Sequence, residues 1–317
     1  MIKAEKIKAF LIDKKYRFSF LNTHGFYKFL SDEKLLKLRY KTNFGKELDL
    51  YNPHTYNEKL QWLKLNDKKP IYTTMVDKYE AKKYVAERIG EDYIIPTLGV
   101  WERFEDIDFE KLPNQFVLKC THDSGGVVIV KDKRTFNKKK AKKKINKCLK
   151  KDFFWSGREW PYKDVKPRII SEAYMEDDLT SELRDYKFFT FNGIAKVLFI
   201  ATDRQKSGTE AKFDFFDMVY NHLPIRNGHP NAEIPPQKPQ TFEKMRELAG
   251  KLSEGIPQLR VDFYEVNGKI YFGELTFYHW SGMVPFDPEE WDEIFGSWIQ
   301  LPQKGDNNRL LLTAYKE

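Results

Sequence analysis

Asp262 and Glu274 stand on the two arms of a candidate β-hairpin, Leu259 to Thr276, that turns at Asn267-Gly268. Side chains alternate across a strand with a period of two, so the length of the turn decides whether both carboxylates share a face. A strict two-residue turn puts them on opposite faces. A three-residue turn carrying a glycine bulge puts them on the same face, with Thr276 beside Glu274, and this bulged turn is the expected form. Two carboxylates converging among Val, Phe, Tyr and Ile cannot stay charged without a cation or hydrogen-bond donors. Magnesium, which takes one or two carboxylates together with other oxygens and water, is the natural occupant. Arg260 offers the alternative, a structural ion pair with Glu274 across the strands.

A second group surrounds Lys119. It ends the apolar run from Asn114 just before a turn holding Ser124, Gly125 and Gly126, so its ammonium and the loop's N–H groups could meet phosphate oxygens together. A hairpin with a mobile tip and a snorkelling lysine is the other reading. Beyond the acidic hairpin, the stretch Phe277 to Met283 offers an aromatic platform for a substrate. His279 in it is either a base or a packed loop histidine. Trp155 and Trp160 flank Arg158 in a further aromatic and basic patch.

The elements that must position these residues are legible from periodicity. Thr74 to Ile89 reads as a helix with Thr74 and Asp77 as a capping box and Gly90 at its end. Tyr93 to Val100 is extended, and Asn114–Lys119 with Val127–Val130 forms a hairpin. Arg168–Tyr174, Tyr186–Phe191 and Ala195–Ala201 read as strands, the last two joined at Asn192-Gly193. Residues 221–240 read as a long loop. A helix after Thr241 buries Phe242, Met245, Leu248, Ala249 and Leu252 and stops at Gly255.

Composition limits the classes. The 317 residues are 41% hydrophobic and 15% aromatic, enough for one large domain or two to three small ones. Two cysteines, Cys120 and Cys148, build neither a disulfide framework nor a cysteine-rich metal site, and no apolar run reads as a signal peptide or span. A cytoplasmic, soluble protein is expected. The net charge of +8 invites a nucleic-acid partner, but nine lysines between Lys138 and Lys151 account for it. That stretch reads as an amphipathic helix with Ala141, Ile145, Cys148 and Leu149 inward, solvated on its lysine face or touching an anionic polymer or membrane surface.

The order of these features resembles the ATP-grasp superfamily: Asp77-Lys78, Phe-Val-Leu-Lys at 116–119 before Gly125-Gly126, Ile-Ser-Glu-Ala-Tyr-Met at 170–175, Arg-Val-Asp-Phe at 260–263 and Glu-Leu-Thr at 274–276. Tyr56–Leu65, Asp77–Gly99 and Asp262–Gly282 look like the branch named for a teichuronopeptide biosynthesis protein, found with bacterial surface-polysaccharide enzymes. The resemblance implies an α+β ATP-grasp fold, with ATP held between two α+β subdomains behind a helical N-terminal region. It implies that Lys78 and Lys119 contact phosphates, that Glu172 holds the adenine amino group and that Ala173, Tyr174 and Met175 form the adenine hinge. By the same resemblance Asp178 meets the ribose, Arg260 or Lys212 reaches the terminal phosphate, and Asp262, Glu274 and Thr276 hold magnesium. The superfamily pattern ends Glu-x-Asn, whereas this chain has Thr276 in the last place.

The implied parts are a helical region 1–70, a pre-grasp segment 71–113, a lid subdomain 114–176 and a C-terminal subdomain 177–317 with the metal site. The implied activity joins a small-molecule or saccharide carboxylate, such as a uronic acid, to an amine by way of an acylphosphate. A glycosyltransferase holding a metal-bound sugar nucleotide and a non-enzymatic anionic-polymer binder are the rivals. Removing either Asp262 or Glu274 is expected to abolish ATP turnover and leave the fold intact.

Overall fold

The computed structural model describes residues 3–123, 125–178, 183–203 and 208–303. Helices α1 (Lys3–Ile12), α2 (Lys14–Thr23), α3 (Asp32–Phe44) and α4 (Tyr56–Asn66) come first, followed by α5 (Ile71–Val76) and α6 (Glu80–Ile89). Strands β1 (Thr97–Trp101), β2 (Phe116–Cys120) and β3 (Val127–Val130) precede α7 (Lys138–Leu149) and the short α8 (Phe154–Gly157). Then come β4 (Ile169–Ala173), β5 (Asp185–Phe191), β6 (Ile194–Thr202), β7 (Lys212–Phe216) and β8 (His222–Leu223). Helix α9 (Phe242–Leu252), β9 (Leu259–Val266), β10 (Lys269–Thr276) and α10 (Glu290–Trp298) complete the described chain. No helix among the described residues is long and apolar enough to cross a membrane.

The chain divides into two compact units. Residues up to 69 join 152–163 and the segment from 278 onward, while 70–151 and 164–277 form the other. In the first unit α4 starts on a capping box: Thr55 accepts from the Glu58 N–H and the Glu58 carboxylate accepts from the Thr55 N–H. Tyr56 then packs edge-on against Phe286 and Phe295.

Asp292, 6% exposed, accepts the Asn57 backbone N–H at 2.9 Å, and burial pushes its carboxyl up to about 6. A carboxyl with a raised folded pKa favours the folded chain in acid. Its contribution is complete below the unfolded value and lost as pH rises through about 6. On acidification from about pH 7.5 to about pH 4.5, wild type should gain about 2 kcal/mol more stability in urea unfolding than Asp292→Asn. Parallel pH profiles would remove this assignment.

The second unit holds both sheets. One has four strands in the order β1-β4-β2-β3, and the other has six in the order β10-β9-β5-β6-β7-β8, all antiparallel. Ala141, Ile145 and Cys148 of α7 pack with Phe116, Leu118 and Cys120 of β2, so the lysine helix buries its expected stripe. Two of its lysines turn back on the protein: Lys142 pairs with Glu105 at 2.6 Å and Lys144 donates to the Val127 carbonyl at 2.6 Å, while Lys151 just beyond the helix pairs with Asp123 at 3.2 Å. Helix α9 buries the five residues expected of it. Asn192 and Gly193 both take positive φ in the β5–β6 turn, as the Asn-Gly pair predicts.

Two local expectations are corrected. The helix expected from Thr74 to Ile89 is broken, because Asp77 is extended at ψ 117° and its carboxylate accepts the Tyr79 N–H at 2.8 Å, so the chain turns before α6 begins. The β9–β10 turn is a strict two-residue one, with Asn267 and Gly268 both left-handed. The register instead shifts at Gly273, so that Glu274 pairs directly with Asp262 and Thr276 with Arg260. The bulge exists, but inside β10 rather than at the turn.

Candidate active site

Between the two sheets of the second unit lies a cleft of about 390 Å³. Lys119, Gly125, Glu172, Ala173, Tyr174 and Met175 line it from the four-stranded side, and Asp185 and Tyr264 from the six-stranded side. Larger clefts of about 620 and 520 Å³ lie along α6 and outside β3, and neither touches the charged row described below.

Glu172 sits mid-cleft on β4 with 5% exposure. Lys119 reaches its Oε2 at 2.5 Å and Lys82 its Oε1 at 2.6 Å. Burial alone would raise this carboxyl, but Lys119 and then Lys82 outweigh it and hold it below its ordinary value. Strand β2 lies beside β4 with Val117 opposite Glu172, and Lys119 shares the face of Val117. Lys82 rises from α6 and also donates to the Ile95 carbonyl at 2.7 Å. Lys78, one turn earlier, donates to the Asp123 carbonyl at 2.9 Å and so braces the base of the β2–β3 loop. Lys78 was expected from the sequence, and Lys82, which was not, is the α6 lysine that reaches Glu172.

The charged row runs along one face of β5, β9 and β10. Lys187 bonds Asp185 at 3.0 Å and also pairs with Asp262. Arg260 grips Asp262 with two bonds of 2.7 Å, and its Nη2 also donates to Glu274 at 2.9 Å and to the Thr276 hydroxyl at 3.0 Å. Register explains the convergence, since Lys187 pairs with Asp262, Asp262 with Glu274 and Arg260 with Thr276. Burial raises the Asp262 carboxyl. Arg260 is held above its ordinary value because the attraction of Asp262 and Glu274 exceeds its own desolvation. Against that burial, the bidentate Arg260 contact and Lys187 on the same carboxylate favour the charged form of Asp262.

The ion pair that rivalled the metal is therefore present, and the donor set also fits a hard cation. Three oxygens, from Asp262, Glu274 and Thr276, converge on one nitrogen. Among the described residues no group of three or more His, Cys, Asp or Glu forms a cage, so water and phosphate oxygens would complete the shell of such a cation. Gly273 sets this geometry. A Cβ there would stand 3.0 Å from the Asp262 carbonyl and 3.2 Å from the Tyr264 ring. Gly273→Val should cost about 1–3 kcal/mol and disturb the register that pairs the acids. Thermal unfolding and ATP turnover together check it, and an unchanged pair of values would refute the role of the bulge.

The other expected residues fall elsewhere. Lys212 opens β7 opposite Thr202, one residue out of phase with Phe213 and Phe215, which share the face of Lys187. It leaves the sheet on the opposite side and does not join the row. Asp178 and Asn267 exchange hydrogen bonds of 3.0 Å, tying the segment after the hinge to the β9–β10 turn. Asp178 therefore lies outside the lining of the cleft. Gly126 packs under the thiols, where a Cβ would stand 2.4 Å from Cys148 Sγ and 2.7 Å from Cys120 Sγ. Ser124 lies outside the described residues. His279 belongs to the first unit and is 4% exposed, a setting that suits packing, and no base role is assigned to it. Next to it Trp280 and Ser281 hold positive φ, and Trp280 is 40% exposed.

Asp185 and Lys187 were also missed. Every residue of β5 is buried, and two charges in such a strand are the signal that would have found them.

Two antiparallel sheets closing on a cleft, with a lysine-bearing hairpin on one side and on the other Asp185, the first member of a row of acids and cations, define the ATP-grasp class. The chain belongs to the TupA-like ATP-grasp family, whose sequence profile matches residues 58–300. No curated protein matches it. Similar solved structures include a D-alanine–D-alanine ligase from Bacillus anthracis complexed with ATP, at 17% identity and TM-score 0.38, covering 64% of this chain and 55% of that one. An L-amino acid ligase from Bacillus licheniformis aligns at 13% identity and TM-score 0.46, over 80% of this chain and 57% of that one. The chain thus spans little more than half the length of either protein.

Proposed function

We propose that the protein is an ATP-dependent ligase that activates a carboxylate and joins it to an amine during bacterial surface-polysaccharide assembly, with a uronic acid as acceptor and an amino acid or peptide as the amine. One observation carries the reading: the cleft that presents Lys119 and the 173–175 hinge also presents Asp185, and Asp185 leads through Lys187 into the row holding Arg260, Asp262 and Glu274. Membership of the TupA-like ATP-grasp family supports it.

In this reading Ala173 to Met175 hold the adenine, and Lys119 and Lys82 neutralise the inner phosphates. Arg260 and Lys187 face the terminal phosphate. Asp262, Glu274 and Thr276 would hold magnesium, which would supply Lewis-acid neutralisation of phosphate charge. The acceptor carboxylate oxygen attacks the terminal phosphorus and the bond to ADP breaks. The amine nitrogen then attacks the acyl carbon, phosphate leaves and the amine gives up a proton. The cations act by stabilising charge as it develops in transfer, and the β2–β3 hairpin closes over the acylphosphate to keep water out.

The test is incubation with ATP, magnesium and a pool of uronic acids and amino acids. The expected result is release of ADP and phosphate together with a product lighter than its two components by one water, seen by mass spectrometry. Release of a nucleoside diphosphate from a sugar nucleotide, with none from ATP, would replace the ligase by a glycosyltransferase.

A further inference from the structure

The N-terminal helices present a surface that the ligase reading does not use. On α1, Ile7 is 56%, Leu11 66% and Ile12 69% exposed; Ile7 and Leu11 stand one turn apart on one side of the helix, and Ile12 follows at its end. Phe10 meets Phe20 of α2 with ring centroids 5.3 Å apart, which joins this stripe to α2, where Phe20 is itself 42% exposed. Beyond α2, Phe26 and Phe29 project at 65% and 80% exposure from a turn that passes through left-handed Gly25. The segment is anchored from below. Phe18 is buried and stacks on Tyr27 at 5.1 Å, and Arg17 donates to the Leu11 carbonyl at 2.9 Å, closing the end of α1.

Charge accompanies the apolar residues. Residues 1–30 hold seven Lys or Arg against two Asp or Glu. Lys6, Lys8, Lys14, Lys15 and Lys28 are exposed. Exposed aliphatic and aromatic side chains among lysines are suited to an anionic bilayer, where apolar groups enter the acyl boundary and ammonium groups meet lipid phosphates. The lysine helix α7 lacks this pairing, since its apolar residues Ala141, Ile145 and Cys148 face inward.

We propose that α1, α2 and the turn carrying Phe26 and Phe29 form a docking surface for an anionic membrane, holding the enzyme at the bilayer without spanning it. The surface is independent of nucleotide and acceptor, so it stands or falls apart from the ligase reading.

The test is co-sedimentation of the full chain, without ATP, with vesicles of phosphatidylcholine alone or mixed with phosphatidylglycerol. Wild type should partition onto the phosphatidylglycerol vesicles and lose binding as salt rises. Ile7→Glu with Leu11→Glu, and separately Phe26→Ser with Phe29→Ser, should each lower the partition coefficient by about tenfold or more. All four positions are exposed, and an unchanged circular dichroism spectrum confirms that the variants fold. Lys139→Gln, Lys143→Gln and Lys147→Gln together should retain binding. Absence of wild-type binding, binding unaffected by the apolar substitutions, or binding lost only with the α7 lysines would overturn the proposal. So would self-association in analytical ultracentrifugation that the apolar substitutions abolish, because the occupant would then be a second copy of this chain.

Discussion

Glu274→Gln should lower magnesium-dependent ATP turnover by about a hundredfold or more while the protein stays folded. The side chain is 38% exposed, and its contact with Arg260 stands beside the bonds that Asp262 and Thr276 make to the same guanidinium. An amide keeps an oxygen that can accept from Arg260 but loses the charge that a divalent cation requires. A coupled ADP assay across magnesium concentrations measures the loss. Turnover retained at saturating magnesium would remove Glu274 from the metal site. The amide keeps the contact with Arg260, so the stability change should stay well below that of losing a buried partner, and unfolding separates lost chemistry from lost structure.

Asp262→Asn should do something different, unfolding the sheet as well as silencing it. Asp262 is fully buried and binds Arg260 at 2.7 Å through both oxygens while Lys187 holds it from β5. Its removal leaves two buried cations short of their shared anion, at a cost of about 3–5 kcal/mol. The denaturant midpoint should fall accordingly. The expectation that either acid could be removed with the fold intact therefore survives for Glu274 alone. A stable Asp262→Asn protein would mean that Asp185 and Glu274 suffice to hold both cations.

What the sequence disclosed follows a physical pattern. The α9 stripe, the Asn192-Gly193 turn and the inward face of α7 depend on local periodicity, and the structure has them as expected. The pairing of Asp262 with Glu274 was foreseen through the wrong residue, because a bulge within a strand leaves only a glycine as its mark while Asn-Gly advertises itself. Lys82 and Lys187 were not legible. Each is defined by a partner far along the chain, Glu172 for one and Asp262 for the other, and no spacing rule reports such encounters. Lys212 failed for the complementary reason: one step along a strand reverses the face it serves.

Glu172 finally bears on how a nucleotide enters and leaves. Its carboxylate already offsets one of the two charges of Lys119 and Lys82, so in the proposed reaction an arriving polyphosphate competes with an internal anion rather than filling a bare positive pocket. Occupancy becomes a contest between counter-ions. In that reaction the richer charge of the triphosphate would win the contest more easily than the diphosphate, and Glu172 reclaiming its lysines would help to expel the spent nucleotide.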